Sequence, residues 1–167
     1  SFQIKNFNFS FLWDVRIGGD IYNATENALV RNGLSTKTLE RGSTTVFDGI
    51  IESTGERNTQ QVVLDQNYYQ TILRGNGQLF VEDGSWYRLR YATLSYRVPK
   101  DLLDRAKIKG LELYATGRNL ILITNYSGVD PEVSSGGAGV PGTGSMGMDN
   151  LGTPATKGVD FGLRLSF

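Results

Sequence analysis

The chain contains no cysteine and no histidine. The first absence excludes a disulfide scaffold and any thiolate metal site. The second removes the commonest general base and the commonest transition-metal ligand together. An excess of one charge is missing as well. The 17 basic residues balance 17 acidic ones, so no net field draws the chain toward nucleic acid or an acidic surface. No apolar run approaches the length of a membrane-spanning helix. The opening Ser1-Phe2-Gln3-Ile4 reads as strand rather than signal peptide. Either an export signal has been processed away or the chain is a piece of something larger. Glycine (21 residues) and the pair tyrosine and phenylalanine (8 each) are plentiful, which suits strands joined by long loops. At 167 residues one domain with its own core is within reach.

Residues Gly158–Phe167 alternate without error. Val159, Phe161, Leu163, Leu165 and Phe167 fall on one side, and Asp160, Gly162, Arg164 and Ser166 on the other. Such alternation means a strand with one apolar and one wet face. A run of this length that stops on its apolar side suits a tilted strand crossing a bilayer. Phe7–Tyr22 repeats the pattern. Phe7, Phe9, Phe11, Trp13, Val15 and Ile17 share a face, while Asn8, Ser10, Asp14, Arg16 and Gly18 take the other, with Leu12 as the exception. So many large apolar groups in one row suit lipid better than a soluble sheet. A mean hydropathy of −0.27 is compatible with this, because half of each barrel strand faces away from lipid.

Two further strands are expected at Trp86–Val98 and Leu111–Tyr126, and the tail of another at Phe2–Lys5. In Trp86–Val98 the row Tyr87, Leu89, Tyr91 and the row Ala92, Leu94, Tyr96, Val98 are out of phase. A bulge near Arg90–Ala92 would reconcile them. Pro99 ends that strand, having no ladder donor. Gly117 and Asn119 interrupt the last but one strand as a kink. Lys5-Asn6 and the charged Lys100–Lys109 are short connections, whereas 23–85 and 127–157 are long. Alternating short and long connections match outer-membrane barrels, with short periplasmic turns and long extracellular loops. Within the first long segment, Asn23–Leu34 has helical character ending at Gly33. Val46–Glu52 reads as a short strand, Gly55–Thr59 as a turn and Val62–Leu73 as a short helix. A segment of this length and mixed character is expected to be functional.

Few motifs carry chemistry. Gly142–Gly147 matches G-x-G-x-x-G, but it lies in a Gly/Pro loop with no strand-to-helix context, so phosphate binding is disfavoured. Asp130, Glu132 and Asp149 share a loop and invite a calcium reading, yet they lack EF-hand spacing, and capping and turn roles are favoured. Glu82-Asp83 and Asp101/Asp104 read as solvated turns rather than acid–base pairs. Trp13, Trp86, Tyr96 and Phe167 suit either interfacial girdles or core packing. The expected lumen row is Asp14, Arg16, Glu112, Arg118, Asp160 and Arg164, suited to packing against a plug or lining a solute path, the former favoured. No enzyme, cofactor or metal is expected from this inventory.

Several strings resemble the C-terminal signature of the SusC/RagA-type TonB-dependent transporters of the Bacteroidota outer membrane. They are GGDIYNAT (Gly18–Thr25), LSTKTLERG (Leu34–Gly42), VFDGI (Val46–Ile50), WYRLRYATLSYRVPKDLL (Trp86–Leu103), LELYATGRNLILITNYSGVDPE (Leu111–Glu132) and MDNLGTPATKGVDFGLRLSF (Met148–Phe167). The resemblance implies an all-β fold: an antiparallel transmembrane β-barrel segment with long extracellular loops. It would comprise the last four strands plus the end of a fifth, from a plugged barrel of the roughly 22-stranded class. Residues 1–167 would be the C-terminal portion, with plug and TonB-contacting regions absent. Phe161, Leu163, Leu165 and Phe167 would form the terminal signal for insertion. The implied function is active import of oligosaccharides or peptides, with a SusD-like surface lipoprotein as lid. TonB would engage through the absent regions, outer-membrane lipid would surround the strands, and no nucleic acid is involved. The competing reading is a secreted, soluble carbohydrate-binding β-sandwich, which requires polar interruptions in the apolar rows.

Overall fold

Alternation at period two dictates strands wherever it is sustained, and the computed structural model places them there. It describes residues 1–104, 108–135 and 147–167. The chain forms two compact units. Ser1–Gly19, Asp83–Glu132 and Thr153–Phe167 make the first, and Asp20–Glu82 with Val133–Gly152 the second.

The first unit is a five-stranded sheet of β1 (Phe2–Ile4), β2 (Phe7–Arg16), β7 (Trp86–Arg97), β8 (Gly110–Thr124) and β10 (Gly158–Ser166), in that order. Every neighbouring pair is antiparallel, so the chain meanders from stave to stave. A tight turn at Lys5, whose φ is 51°, joins the first two. After Arg97 the chain reaches Pro99, which caps the short helix α2 (Lys100–Leu103).

The suspected phase switch falls at Arg90. Leu12 lies opposite Tyr91 but Trp13 opposite Leu89, so Arg90 has no partner on β2. Against β8, Leu89 faces Ile121 and Tyr91 faces Arg118, which skips Asn119 and Leu120. Asn119 takes up the irregularity with a φ of 50°. The bulge turns Tyr87 and Leu89 to the same side as Ala92, Leu94 and Tyr96. Register then aligns them with Phe7, Phe9, Phe11, Trp13 and Val15 on one flank and with Leu113, Ala115, Ile121 and Ile123 on the other. Val159, Phe161, Leu163 and Leu165 continue the same face.

The strand expected to run from Phe7 to Tyr22 stops at Arg16. Gly18 and Gly19 follow with φ of 82° and 86°, a left-handed conformation that breaks the extended run and costs a residue with a Cβ. Beyond them the second unit begins with β3 (Asp20–Asn23), the central member of a three-stranded sheet with β6 (Val81–Asp83) and β9 (Met148–Asp149). Helix α1 (Ala24–Arg31) starts where expected. Its cap Asn23 accepts a hydrogen bond from the Glu26 amide at 2.8 Å, satisfying one of the free first-turn donors. The strand expected at Val46–Glu52 is instead β4 (Thr44–Val46), paired with β5 (Gln61–Val63). Asp48-Gly49 leaves the ladder, and Ile50 keeps only an isolated bridge to Arg57. The helix expected over Val62–Leu73 divides into β5 and a π-helical segment, Tyr68–Leu73. The core of this unit is Val30, Leu64, Tyr68, Tyr69 and Phe80, flanked by Tyr22, Val62 and Leu73. The long segment expected at 127–157 is not wholly irregular, since it contains the 3-10 turn Pro131–Ser135 and β9.

Candidate functional site

Opposite the apolar face, the sheet carries its charges. Strand parity puts Asp14, Arg16, Trp86, Arg88, Glu112, Arg118, Asp160 and Arg164 on that side. All six charged residues singled out from sequence therefore share one face. Arg164 Nη1 lies 3.4 Å from Glu112 Oε2, and Arg118 Nε lies 2.8 Å from Asp160 Oδ2. Both rungs are exposed pairs, worth up to about 1 kcal/mol each in water. Arg164 also sits over the Tyr114 ring, 5.2 Å from its centroid. That ring lies across Gly162, where a Cβ would come within 2.3 Å of it. Thr93 and Thr116 hydroxyls meet across the strands at 2.8 Å.

The densest part of this face centres on Arg88 and Arg90. Arg88 Nη2 reaches Asp130 Oδ1 at 2.5 Å, with both side chains only 3% exposed. Arg88 Nε is 2.9 Å from Glu132 Oε2. Arg90 donates to the same Glu132 through Nη1 at 2.8 Å and through Nη2, and to Asp14 Oδ2 through Nε at 3.0 Å and Nη2 at 2.8 Å. Three carboxylates and two guanidiniums thus form one chain of ion pairs. Each buried charge has more than one partner, which offsets the desolvation that a lone buried pair suffers. Trp86 is the platform beneath: the Arg88 and Arg90 guanidinium carbons lie 5.6 and 5.3 Å from its ring centroid. Asp130 also binds the chain locally, accepting from the Glu132 amide at 2.9 Å and the Ala155 amide at 3.1 Å. The network fastens the stretch after β8 onto the sheet.

The remaining candidates take the following places. Trp86 is not a lipid-side girdle residue, since it is 5% exposed on the charged face. Trp13 and Tyr96 do lie on the apolar face, and Phe167 is exposed. Asp130 and Glu132 pair with arginines in the sheet unit, Asp130 also taking the favoured turn role through the Glu132 amide. Asp149, in the other unit, accepts from the Thr25 hydroxyl at 2.9 Å. Among the described residues no group of acidic side chains suits a metal ion. The Gly142–Gly147 motif lies largely outside the described residues. Asp83 binds the Ser85 hydroxyl at 2.7 Å and amide at 3.0 Å. The hydroxyl is the larger of the two influences that hold its carboxyl below the usual range. Arg88 and Arg90 are the residues that sequence reasoning passed over. Their signal is W-x-R-x-R, a polar row hidden because the bulge changes phase within it.

The carboxylates and guanidiniums are engaged with each other, while the buried Trp86 Nε1 makes no hydrogen bond, and no activated nucleophile stands beside them among the described residues. It is a wall with one charged and one apolar surface. The apolar surface remains open: Phe161 is 81% exposed, Leu163 58% and Phe9 40%. This is the opposite of a β-sandwich, which buries such a face against a second sheet.

No protein-family model matches the chain. Along nearly its whole length it is similar to curated TonB-dependent receptors of Formosa agariphila. One is 29% identical over 164 residues, covering 98% of this chain and 16% of the receptor. Another is 24% identical over 166 residues, covering 99% and 15%. Among solved structures, the RagAB peptide importer in its open-open state superposes with a TM-score of 0.58 at 20% identity, over 98% of this chain and 16% of that one. A structure of the RagAB peptide transporter gives a TM-score of 0.60 at 21% identity, with the same coverage. The chain thus spans about a sixth of the proteins it matches. Its relatives bear receptor and transporter names, its sheet has the fold of a TonB-dependent transporter barrel, and its place is the outer membrane.

Proposed function

We propose that this chain supplies the last staves of a TonB-dependent importer's barrel, residues 1–167 being the C-terminal portion of that domain. The single observation that carries the reading is the continuous, exposed apolar face built by β2, β7, β8 and β10. Hydrocarbon is the solvent that such a face fits, and β2, β7 and β8 are each paired on both sides within the sheet, interrupted at the Arg90 bulge, as a bilayer requires of its strands. The charged face then turns to the lumen, where Asp14, Arg16, Glu112, Arg118, Asp160 and Arg164 pack against a plug or line the solute path. Phe161, Leu163, Leu165 and Phe167 serve as the insertion signal.

The cargo is an oligosaccharide or a peptide, and a SusD-like lipoprotein covers the long-loop side. Support comes from the likeness to TonB-dependent receptors and to RagAB, the latter solved as a peptide importer. TonB supplies the energy through regions outside this chain. Deleting the receptor gene is expected to abolish uptake of a defined oligosaccharide or peptide mixture, measured as its disappearance from the medium. Wild-type receptor restores it, and dissipating the inner-membrane proton gradient removes it again. Uptake that continues unchanged in the deletion strain would contradict the reading.

A further inference from the structure

The second unit holds a cavity of about 310 Å³, lined by Arg31, Asn32, Arg41, Gln66, Tyr69 and Gln70 among others and by no carboxylate. That volume is at the lower end for small-molecule sites. Several of its backbone acceptors are already used. The last carbonyls of α1 receive the amides of Asn32, Gly33 and Leu34. The Arg31 carbonyl receives Gln70 Nε2 at 3.2 Å, and the Gly33 carbonyl receives Arg41 Nη1 at 3.0 Å. Its guanidinium charges are not balanced. Neither Arg31 nor Arg41 makes an ion pair among the described residues. Tyr69 is 6% exposed, lines the cavity, and its hydroxyl has no hydrogen-bond partner among the described residues.

Arg41 is seated in advance. Gly33 has a φ of 68°, and a Cβ there would lie 3.1 Å from Arg41 Nη1. A side chain at residue 33 would crowd the guanidinium at that spot. Two guanidiniums and a tyrosine hydroxyl, with no acid to neutralise them, call for a ligand rich in acceptors and negatively charged.

We propose that this cavity binds a small carboxylate-bearing ligand: the terminal carboxylate of a short peptide or the acid group of an acidic sugar. The proposal deepens the importer reading, on which it rests for the ligand's origin as a nutrient. Calorimetric titration of the full-length receptor in detergent tests it, with diglycine and glucuronate as probes and diglycine amide and glucose as counterparts that lack the carboxylate. At least one acid is expected to bind and its counterpart not, and the acid that binds names the source. Arg31→Gln with Arg41→Gln should weaken binding about tenfold or more. Arg57→Gln, outside the cavity, should leave it unchanged. Should the double variant misfold, Tyr69→Phe keeps the ring and is expected to weaken binding several-fold. Binding of neither acid, equal binding of acid and counterpart, or binding indifferent to these variants overturns the site. Wild-type uptake without acid binding overturns the site alone, whereas acid binding without uptake overturns the importer reading alone.

Discussion

In the inserted unit Val30 and Phe80 are fully buried and most charges lie outside; on the sheet, Phe161 is 81% exposed while Arg88 is 2% exposed. One chain thus contains two opposite rules of burial. The inserted unit obeys water, which expels apolar area into a core. The sheet is arranged for a solvent that accepts apolar side chains and rejects charge, so its polar groups are collected on the other side and paired. Residue type alone does not distinguish the two regions. The period does: the sheet spreads its apolar residues along straight rows, and the inserted unit gathers them from helix, turn and strand.

The contrast can be broken in four places. The largest effect is expected from Arg88→Ala, which leaves the buried Asp130 carboxylate without its guanidinium and costs about 3–5 kcal/mol. Limited proteolysis should then cut the stretch 127–135 while β7 and β8 stay protected. Phe80→Ala empties the centre of the inserted unit and costs a similar or slightly smaller amount, about 3–5 kcal/mol. Hydrogen exchange should rise over 20–82 and stay unchanged across the sheet. Phe9→Arg places a charge on the apolar face. The penalty is about 2–4 kcal/mol near the bilayer midplane, read as loss of heat-resistant, outer-membrane-assembled receptor. Asn8→Arg, its neighbour on the other face, should assemble normally.

The smallest effect concerns alkali. Burial, and secondarily the charge of Tyr69, pushes the Tyr68 hydroxyl above the ordinary tyrosine value. The folded form therefore resists ionisation more than the unfolded one. This contribution is fully present below about pH 10 and is lost as pH rises through the folded value. The inserted unit should loosen in strong alkali before the sheet does, and Tyr68→Phe should remove that step.

Much of the sheet was legible because a bilayer-crossing strand must alternate over its whole length. Phe7–Arg16 and Gly158–Ser166 show this plainly, and parity also put all six lumen candidates on one side. The end of β2 was misplaced since Ile17, Ile21 and Tyr22 continue the apolar sequence, and only the paired left-handed glycines stop it. Arg88 and Arg90 were hidden by a one-residue bulge that inverts every side chain beyond it. Their partners Asp130 and Glu132 lie some forty residues away, a pairing that no local pattern encodes. The strands and turns of 44–73 follow tertiary packing around Tyr68 and Phe80, which overrides weak local preference.

Orientation of the two faces is the central claim, and the chain has two tryptophans placed to report on it: Trp13 among the exposed apolar side chains and Trp86 beneath the arginines. In full-length receptor reconstituted into bilayers of brominated lipid, other tryptophans would first be replaced by phenylalanine. Fluorescence of Trp13, read in the Trp86→Phe variant, is then expected to be strongly quenched. That of Trp86, read in Trp13→Phe, should be nearly untouched. Equal quenching of the two, or quenching of Trp86 alone, would contradict the account.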